Sequence, residues 1–268
     1  MTTVSEPITS ADNAQFKALK NLAGSGRERR KTGLTLLDGL HLIEAWLAAG
    51  HGLQKLVAST TGAARFEHAH WLAAHPQHRH VVLSDALFAQ LVAAEDSPSG
   101  LLAIVHMPQV GGIPGDGVDT VVLDGVQDPG NVGSILRSAA AAGFRQAVLS
   151  ADCAQAWSPK VLRAGMGAHF AIRLFEGIDL PGYLETFKGR VAVTHLAGTA
   201  SLYEANLDGP LAWVLGSEGQ GVRPAVLACA NLRVKIPMAG GVESLNVAAA
   251  SAVCLFETAR RRGHAVIA

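Results

Sequence analysis

The stretch LAWVLGSEGQGVRPAVLACANLRVKIPMAGGVESLNVAAASAVCL, residues 211–255, decides the fold of this chain. Two short apolar runs, Leu211–Leu215 and Leu232–Ile236, are bounded by glycine and proline, which predicts buried strands rather than helices. A one-turn helix is predicted to begin near Pro224, and a long helix rich in small residues begins at about Asn246. Polar residues follow both strands. Because open α/β sheets bind ligands at the carboxyl ends of their strands, we place the active site in these loops.

The composition limits which classes of protein are possible. The 268 residues fit one large or two modest domains, and Lys plus Arg equals Asp plus Glu, 22 each, so any affinity for nucleic acid must come from local patches. Cys153, Cys229 and Cys254 are widely spaced and form no C-x-x-C pair, which argues against a disulfide framework and a zinc site. Residues 1–12 do not resemble a signal peptide, and no apolar run approaches a membrane span, so we expect a cytoplasmic protein.

The chain reads as two regions joined by a linker. Alternating helix and strand patterns over residues 1–106 predict a compact α/β domain, whose first helix has Ser10 as its candidate N-cap. Residues 107–118, MPQVGGIPGDGV, contain four glycines and two prolines and form the predicted linker. Strands and helices alternate again over residues 119–268, which predicts a second α/β domain on a parallel sheet.

A basic run lies near the start of the first domain. Between Lys17 and Lys31, six cations face one acid, Glu28, for a local net charge of +5. One interpretation is a solvated helix face, and the other is a patch that contacts RNA phosphates. The candidate RNA-binding residues are Lys17, Lys20, Arg27, Arg29, Arg30 and Lys31.

Five histidines crowd residues 68–80, which raises the question of a metal site. They lack the spacing and the flanking thiolates or carboxylates of zinc signatures, so we favour a fortuitous surface cluster and predict no metal. A metal site is the alternative. The histidines are His68, His70, His75, His78 and His80.

Several common catalytic motifs are absent from the sequence. There is no Walker P-loop, no G-x-G-x-x-G, no H-E-x-x-H and no G-x-S-x-G. This argues against nucleotide hydrolysis, a dinucleotide-binding Rossmann site, a zinc protease and a serine hydrolase. The remaining candidate site consists of glycine-bearing strand ends beside a few polar groups, where backbone N–H and C=O groups and apolar walls could hold a flat heterocycle.

Three long motifs resemble those of one enzyme family. DGVQDPGNVGSILRSAAAAG at 124–143, GSEGQG at 216–221 and IPMAGGVESLNVAAA at 236–250 closely resemble the motifs of the SpoU/TrmH branch of the SPOUT RNA methyltransferases, in the same order. The resemblance is firm over 119–268. The N-terminal third, with SPSGLLAIV at 97–105, looks like the small ribosomal-protein-like substrate-binding domain of many such enzymes.

The resemblance implies a fold, a cofactor and a reaction. It implies a SPOUT domain, with helices on both faces of a parallel sheet and a C-terminal trefoil knot. It also implies that the protein forms a homodimer through this domain. The cofactor is S-adenosylmethionine, and the methyl acceptor is a ribose 2′-hydroxyl of structured RNA, with 23S rRNA expected. The alternatives are a methyltransferase that acts on tRNA, a non-catalytic RNA-binding protein associated with the ribosome, and a doubly wound enzyme that uses another nucleotide as its cofactor. The implied cofactor-binding residues are Thr194, His195, Leu196, Gly198, Leu215, Gly216, Ser217, Gly219, Ile236, Met238 and Leu245.

The resemblance also implies a polar catalytic set, each member of which has a simpler interpretation. Arg137 could be a surface residue, Glu218 a loop acid, and the others helix caps. The family assigns Arg137 as the base, but deprotonating a guanidinium at pH 7 costs about 7 kcal/mol or more. We therefore favour an orienting and electrostatic role, in which Arg137 also binds the RNA by bridging the hydroxyl and the adjacent phosphate. Its side chain could reach the strand ends only from an inward-facing position. The set is Asn131, Arg137, Glu218, Ser244 and Asn246.

Overall fold

The structure is a computed structural model that describes residues 6–78, 80–92, 99–194, 200–240 and 244–263. The chain divides into two compact units. The first contains Met1–Gln109 and Trp157–Gly167, and the second contains Val110–Ala156 and Ala168–Ala268. The chain therefore returns to the first unit for eleven residues, a feature absent from the predicted boundaries. Within the described ranges, no helix is long and apolar enough to cross a membrane.

The first unit is built on a sheet of four described strands. Their order is β1-β4-β2-β3, with β4 antiparallel to both β1 and β2 and with β2 parallel to β3. All four agree with the alternating helix and strand pattern of this region, because each is a short apolar run that ends in turn residues. The strands are β1 Leu34–Asp38, β2 Lys55–Ser59, β3 His80–Leu83 and β4 Leu101–His106.

Short helices cover this sheet. Helix α1 packs Phe16, Leu19 and Leu22 into the core, at helical spacing. Its N-cap is Asn13, whose Oδ1 accepts the Gln15 N–H at 2.9 Å, so the prediction of Ser10 is wrong. The helices are α1 Ala14–Gly24, α2 Gly26–Thr32, α3 Leu40–Ala48, α4 Thr60–Ala64, α5 Phe66–Ala74 and α6 Asp85–Phe88.

The second unit contains a seven-stranded sheet among its described residues. The order is β7-β6-β5-β10-β8-β11-β9, and every neighbouring pair is parallel, which confirms the predicted α/β class. The strands are β5 Thr120–Asp124, β6 Gln146–Leu149, β7 Arg173–Glu176, β8 Arg190–Thr194, β9 Ala200–Ser201, β10 Leu211–Gly216 and β11 Leu232–Lys235.

Helices lie on both faces of this sheet. On strand β10, Val214 packs in a core with Leu180 and Tyr183 of α9, while the neighbouring Trp213 donates its indole N–H to Thr258 of α11 at 3.0 Å. Successive strand residues point to opposite faces, so α9 and α11 cover opposite sides. The helices are α7 Pro129–Ala141, α9 Leu180–Glu185, α10 Pro224–Ala228 and α11 Val247–Arg261, with a 3₁₀ turn at Ala168–Phe170.

Helix α8, Pro159–Gly165, belongs to the returning segment and packs against β1 of the first unit. The Thr35 hydroxyl donates to the Trp157 carbonyl at 2.6 Å, and Arg163 pairs with the nearly buried Asp38 at 3.0 Å. These contacts are internal to the first unit.

The last turn of α11 is fixed by a cluster of charges. Glu257 pairs with Arg260 and Arg261 at 2.8 and 2.7 Å, and these two guanidinium groups lower the pKa of Glu257 to about 2. Arg261 also donates to the carbonyl of Ala205, and Arg262 donates to that of Leu207. The end of the helix is thus held to the segment before β10. The trefoil knot stays a prediction from the family resemblance.

Candidate functional site

Four neighbouring strands of the second unit end at one edge of its sheet. In the parallel register, Gly216 of β10 lies opposite Asp124 of β5, and Val234 of β11 lies opposite Thr194 of β8. The strands β5, β10, β8 and β11 are consecutive neighbours, so their carboxyl ends lie along a single edge. This is the edge at which parallel sheets bind ligands.

Asn131 does not cap helix α7. The cap is Asp128, whose Oδ1 accepts the Asn131 backbone N–H at 2.7 Å. The helix-cap interpretation of Asn131 is therefore wrong, and its side-chain amide is available for other contacts.

That amide joins all three motifs in one hydrogen-bonded chain. Asn131 Nδ2 donates to Glu218 Oε1 at 2.6 Å, and Asn246 Nδ2 donates to Asn131 Oδ1 at 3.0 Å. Asn246 Oδ1 accepts the backbone N–H groups of Ala248 and Ala249, so Asn246 is the N-cap of α11 as well as a member of the site. Because a capping oxygen faces the helix, the Asn246 amide nitrogen must face Asn131. The cap thereby fixes the direction of both hydrogen bonds between Asn246, Asn131 and Glu218.

A closed turn presents Glu218. Ser217 and Gly221 exchange backbone hydrogen bonds at 3.1 and 2.9 Å across the loop after β10. A Cβ atom at Gly216 would lie 2.1 Å from the Gly221 carbonyl carbon, and Gly221 has φ +68°. Glycine is therefore required at both positions, and Glu218 lies exposed at the tip of the turn.

An ion pair that the sequence analysis missed anchors the same loop. The Asp124 side chain is 0% exposed, and it accepts the backbone N–H of Arg223 at 2.8 Å and the Arg223 Nε at 2.6 Å. Arg223 also lies 3.4 Å from Asp152. The end of β5 is thus tied to the end of the Glu218 loop. One signal was available in the sequence, since Asp124 is a charge that ends an otherwise apolar run.

Two members of the predicted catalytic set take no part in the hydrogen-bonded chain Glu218–Asn131–Asn246. Arg137 is exposed on α7, about 9 Å along the helix axis from Asn131, and it forms no hydrogen bond or ion pair with any described residue. Arg137 thus faces solvent rather than the protein interior, contrary to the expected inward position, and its orienting role stays a prediction. Ser244 is also exposed, two residues before Asn246, with no hydrogen bond to the described part of the chain. Glu218 instead accepts a hydrogen bond from Asn131, so it does not hold Arg137 in place.

The predicted cofactor residues that the structure describes lie around the same edge. Leu215 is 2% exposed, so it offers only its backbone, whereas Ile236 and Met238 are half-buried and Leu245 is 40% exposed. Apolar side chains beside free backbone groups suit an adenine ring, so these residues fit S-adenosylmethionine. The other described members are Thr194, Gly216, Ser217 and Gly219, while His195, Leu196 and Gly198 lie outside the described residues.

The basic run of the first unit is mostly exposed, with one exception. Arg29 is 4% exposed and donates to the carbonyls of Leu22 and Ala23 at 2.8 and 2.9 Å. A helix leaves its last carbonyls without partners, and Arg29 satisfies two of those at the end of α1. We therefore remove Arg29 from the candidate RNA contacts. Those that remain exposed are Lys17, Lys20, Arg27, Arg30 and Lys31.

The crowded histidines are used in packing. His75 stacks on Trp71 at 4.2 Å between ring centroids, and His78 stacks beside both rings. His68 is buried, with Nδ1 2.9 Å from the Gly62 carbonyl, so the surface interpretation is wrong for His68. Among the described residues, no group of three or more His, Cys, Asp or Glu could hold a metal ion.

Comparison with known proteins agrees with this architecture. The SpoU rRNA methylase family matches residues 119–256, and the MRM3-like substrate binding domain matches residues 13–103. The chain is 36% identical to an uncharacterized tRNA/rRNA methyltransferase of Synechocystis sp., over 95% of this chain and 94% of the relative. It is 31% identical to the Bacillus subtilis 23S rRNA (guanosine(2553)-2′-O)-methyltransferase RlmP, over 93% and 97%.

A solved structure gives the same picture in three dimensions. The SpoU methyltransferase AviRb from Streptomyces viridochromogenes, in complex with the cofactor AdoMet, superposes with a TM-score of 0.81 at 26% identity, over 93% of this chain and 98% of that one. The fold and its polar strand-end site define a methyltransferase of the α/β class. The chain belongs to the SpoU rRNA methylase family.

Proposed function

We propose that this protein transfers a methyl group from S-adenosylmethionine to a ribose 2′-hydroxyl of ribosomal RNA. The observation that carries the proposal is the hydrogen-bonded chain Glu218–Asn131–Asn246, which joins the three motifs at the carboxyl edge of the sheet. S-adenosylmethionine would supply the methyl group and leave as S-adenosylhomocysteine while the hydroxyl gives up its proton, and the backbone and apolar groups around Gly216, Ile236 and Met238 would hold the cofactor.

The residues of the chain act mainly by positioning. Asn131 is held between a carboxylate and the N-terminus of α11, so it presents fixed hydrogen-bonding atoms to the incoming ribose. Such alignment of reacting atoms can supply several kcal/mol of the barrier lowering, on the order of 7–11 at best. Arg137 is exposed and unpaired among the described residues, so its planar fork is available to a hydroxyl and the adjacent phosphate.

Ribosomal RNA is the substrate that the relatives favour. The Bacillus subtilis relative is named for 23S rRNA, whereas the name of the Synechocystis relative includes tRNA as well. The first unit, with its exposed cations on α1 and α2, selects the RNA. The enzyme works in the cytoplasm as a homodimer through the second unit, and the exposed Phe256 of α11 is apolar surface that a second copy would cover.

Mapping of 2′-O-methyl groups tests the proposal. Total rRNA and tRNA from a deletion strain are compared with those from the parent strain, and the purified protein is then supplied with S-adenosylmethionine and the unmodified RNA. We expect one rRNA ribose to lose its methyl group in the deletion strain and to regain it in vitro. A lost mark in tRNA alone would establish the tRNA alternative, and unchanged maps with no methyl transfer in vitro would overturn the enzymatic proposal.

A further inference from the structure

The first unit carries an apolar groove of about 210 Å³ that the proposed catalytic site does not use. Leu19 and Leu22 of α1 form one wall. Three strands supply the other, through Leu34, Val81 and Ile104, which all lie on the sheet face that α1 covers. Helix α1 thus leaves one end of this face open.

Polar groups without partners border this apolar space. Gln15, Glu28 and Lys55 line the groove, and none of their side chains forms a hydrogen bond or ion pair with a residue that the structure describes. Thr32 is already used, because its hydroxyl donates to the Glu28 carbonyl at 2.8 Å. A few polar groups converging on an apolar pocket are typical of a site that recognises a small planar group.

The surrounding charge indicates what carries that group. Arg27 and Lys31 are exposed on α2 at i and i+4, so they form a positive stripe next to the Glu28 position. Cations around an apolar groove favour a planar group attached to a phosphate chain. The volume is below the range of roughly 300–1,000 Å³ for drug-sized ligands, which suits one nucleobase rather than a whole nucleotide cofactor.

We propose that this groove binds an unpaired guanine of the RNA substrate. A carboxylate only accepts hydrogen bonds, and guanine presents N1–H and N2–H side by side on its Watson–Crick edge, where Glu28 would accept both. Lys55 would donate to guanine O6. Adenine and cytosine place an acceptor nitrogen beside their single amino group, and uracil flanks one N–H with two carbonyls, so a carboxylate disfavours all three. This inference rests on the proposed function for its RNA.

Nucleotide titration of the full-length protein tests the groove directly. We expect GMP to shift the methyl NMR signals of Leu22, Val81 and Ile104 at about tenfold lower concentration than AMP, CMP or UMP, because one bidentate pair gives discrimination of that order. Glu28→Gln should abolish the preference for GMP. The matched control is Glu44→Gln, an exposed acid on α3 outside the groove, which should keep the preference. Equal shifts with all four nucleotides, or no shift at the groove, would overturn the proposal.

A second measurement separates this inference from the proposed function. In rRNA methylation, Glu28→Gln should raise the KM for RNA about tenfold while kcat and the affinity for S-adenosylmethionine stay unchanged. An unchanged KM would overturn the proposal that the groove binds guanine, even if the enzyme methylates rRNA. Absence of methylation by the wild type would instead overturn the proposed function, and the GMP titration would still decide the groove. Ala18→Phe, which fills the groove from α1, should reproduce the loss of GMP shifts, and retained shifts would contradict our assignment.

Discussion

Asn246 donates to Asn131 at 3.0 Å with its amide nitrogen, while its oxygen caps the helix that follows. One side chain therefore serves the stability of α11 and the order of the site. A substitution that keeps the cap but removes the donor can separate the two roles.

Asn246→Asp makes this separation. Aspartate caps helices as well as asparagine does, so the melting temperature should change little. The aspartate has no N–H to donate, so Asn131 must turn its amide towards it and then direct an oxygen at Glu218. We expect kcat to fall at least tenfold, measured in single-turnover methylation beside thermal unfolding. Asn246→Ala, which loses both roles, should lose about 1 kcal/mol of stability as well. A large stability loss in the aspartate variant would contradict the capping geometry.

Asp124→Asn tests the anchor of the Glu218 loop. The change leaves the Arg223 guanidinium without its buried anionic partner, and we expect a loss of about 2 kcal/mol, since Arg223 is itself 47% exposed. A looser loop should also weaken S-adenosylmethionine binding, which calorimetry measures. Asp152→Asn is the matched control, because Asp152 is 62% exposed at 3.4 Å and its loss should cost less than about 0.5 kcal/mol. Equal effects of the two variants would remove Asp124 from the positioning role.

Arg137→Lys distinguishes an orienting arginine from a base. Lysine has a reference pKa two or more units lower than arginine, at about 10.4, so it is the easier group to neutralise. It loses the planar fork that grips a hydroxyl and a phosphate together. If orientation dominates, the rate should fall about 100-fold and should stay low as pH rises from about 7 to 9.5. Single-turnover assays with saturating RNA measure the rate. Recovery of the lysine variant towards the wild-type rate at high pH would show that Arg137 acts as the base.

The exposed cations and the buried one in the basic run should behave differently. Arg30→Ala with Lys31→Ala should leave the melting temperature unchanged and should flatten the salt dependence of RNA binding by about 0.7 per cation in the log–log slope. Arg29→Ala should instead destabilise the fold by roughly 1–3 kcal/mol, since two carbonyls at the end of α1 lose their partner. The measurements are RNA titrations at several salt concentrations and thermal unfolding. A salt slope that responds to Arg29 but not to Arg30 and Lys31 would reverse our assignment.

Stability at acidic pH should depend on Glu257. Its folded pKa of about 2 lies below the unfolded value, so the unfolded chain binds more protons between the two values and stability rises with pH there. The contribution is fully present above about pH 5 and is lost as pH falls towards 2. Glu257→Gln should lower the melting temperature at pH 7 and flatten its pH dependence between about 5 and 2. Parallel curves for variant and wild type would contradict the charge cluster.

Local pattern was enough to predict most of the strands, because each is an apolar run that ends in turn residues. It could not choose between two good capping residues a few positions apart. Ser10 and Asn13 both suit an N-cap, and the core contacts of Phe16 decide for Asn13. Similarly, Asp128 rather than Asn131 caps α7.

Other features depend on contacts that are distant in sequence. Arg29 belongs to a basic run, yet it is buried because its guanidinium donates hydrogen bonds to two carbonyls at the end of α1. The three motifs give the residue types of the site. Asn131 and Glu218, however, are 87 positions apart in the sequence, and only the order of the strands in the sheet brings them together.

The return of Trp157–Gly167 to the first unit has a consequence for recombination between related genes. The polypeptide passes between the units at three points, 109/110, 156/157 and 167/168, so no single breakpoint exchanges one unit for that of a relative. A chimera joined only at residue 109 would place a foreign β1 beneath the native α8 and would mismatch the Asp38–Arg163 pair. Exchanging the whole first unit for that of a relative therefore requires two inserts, one of them only eleven residues long.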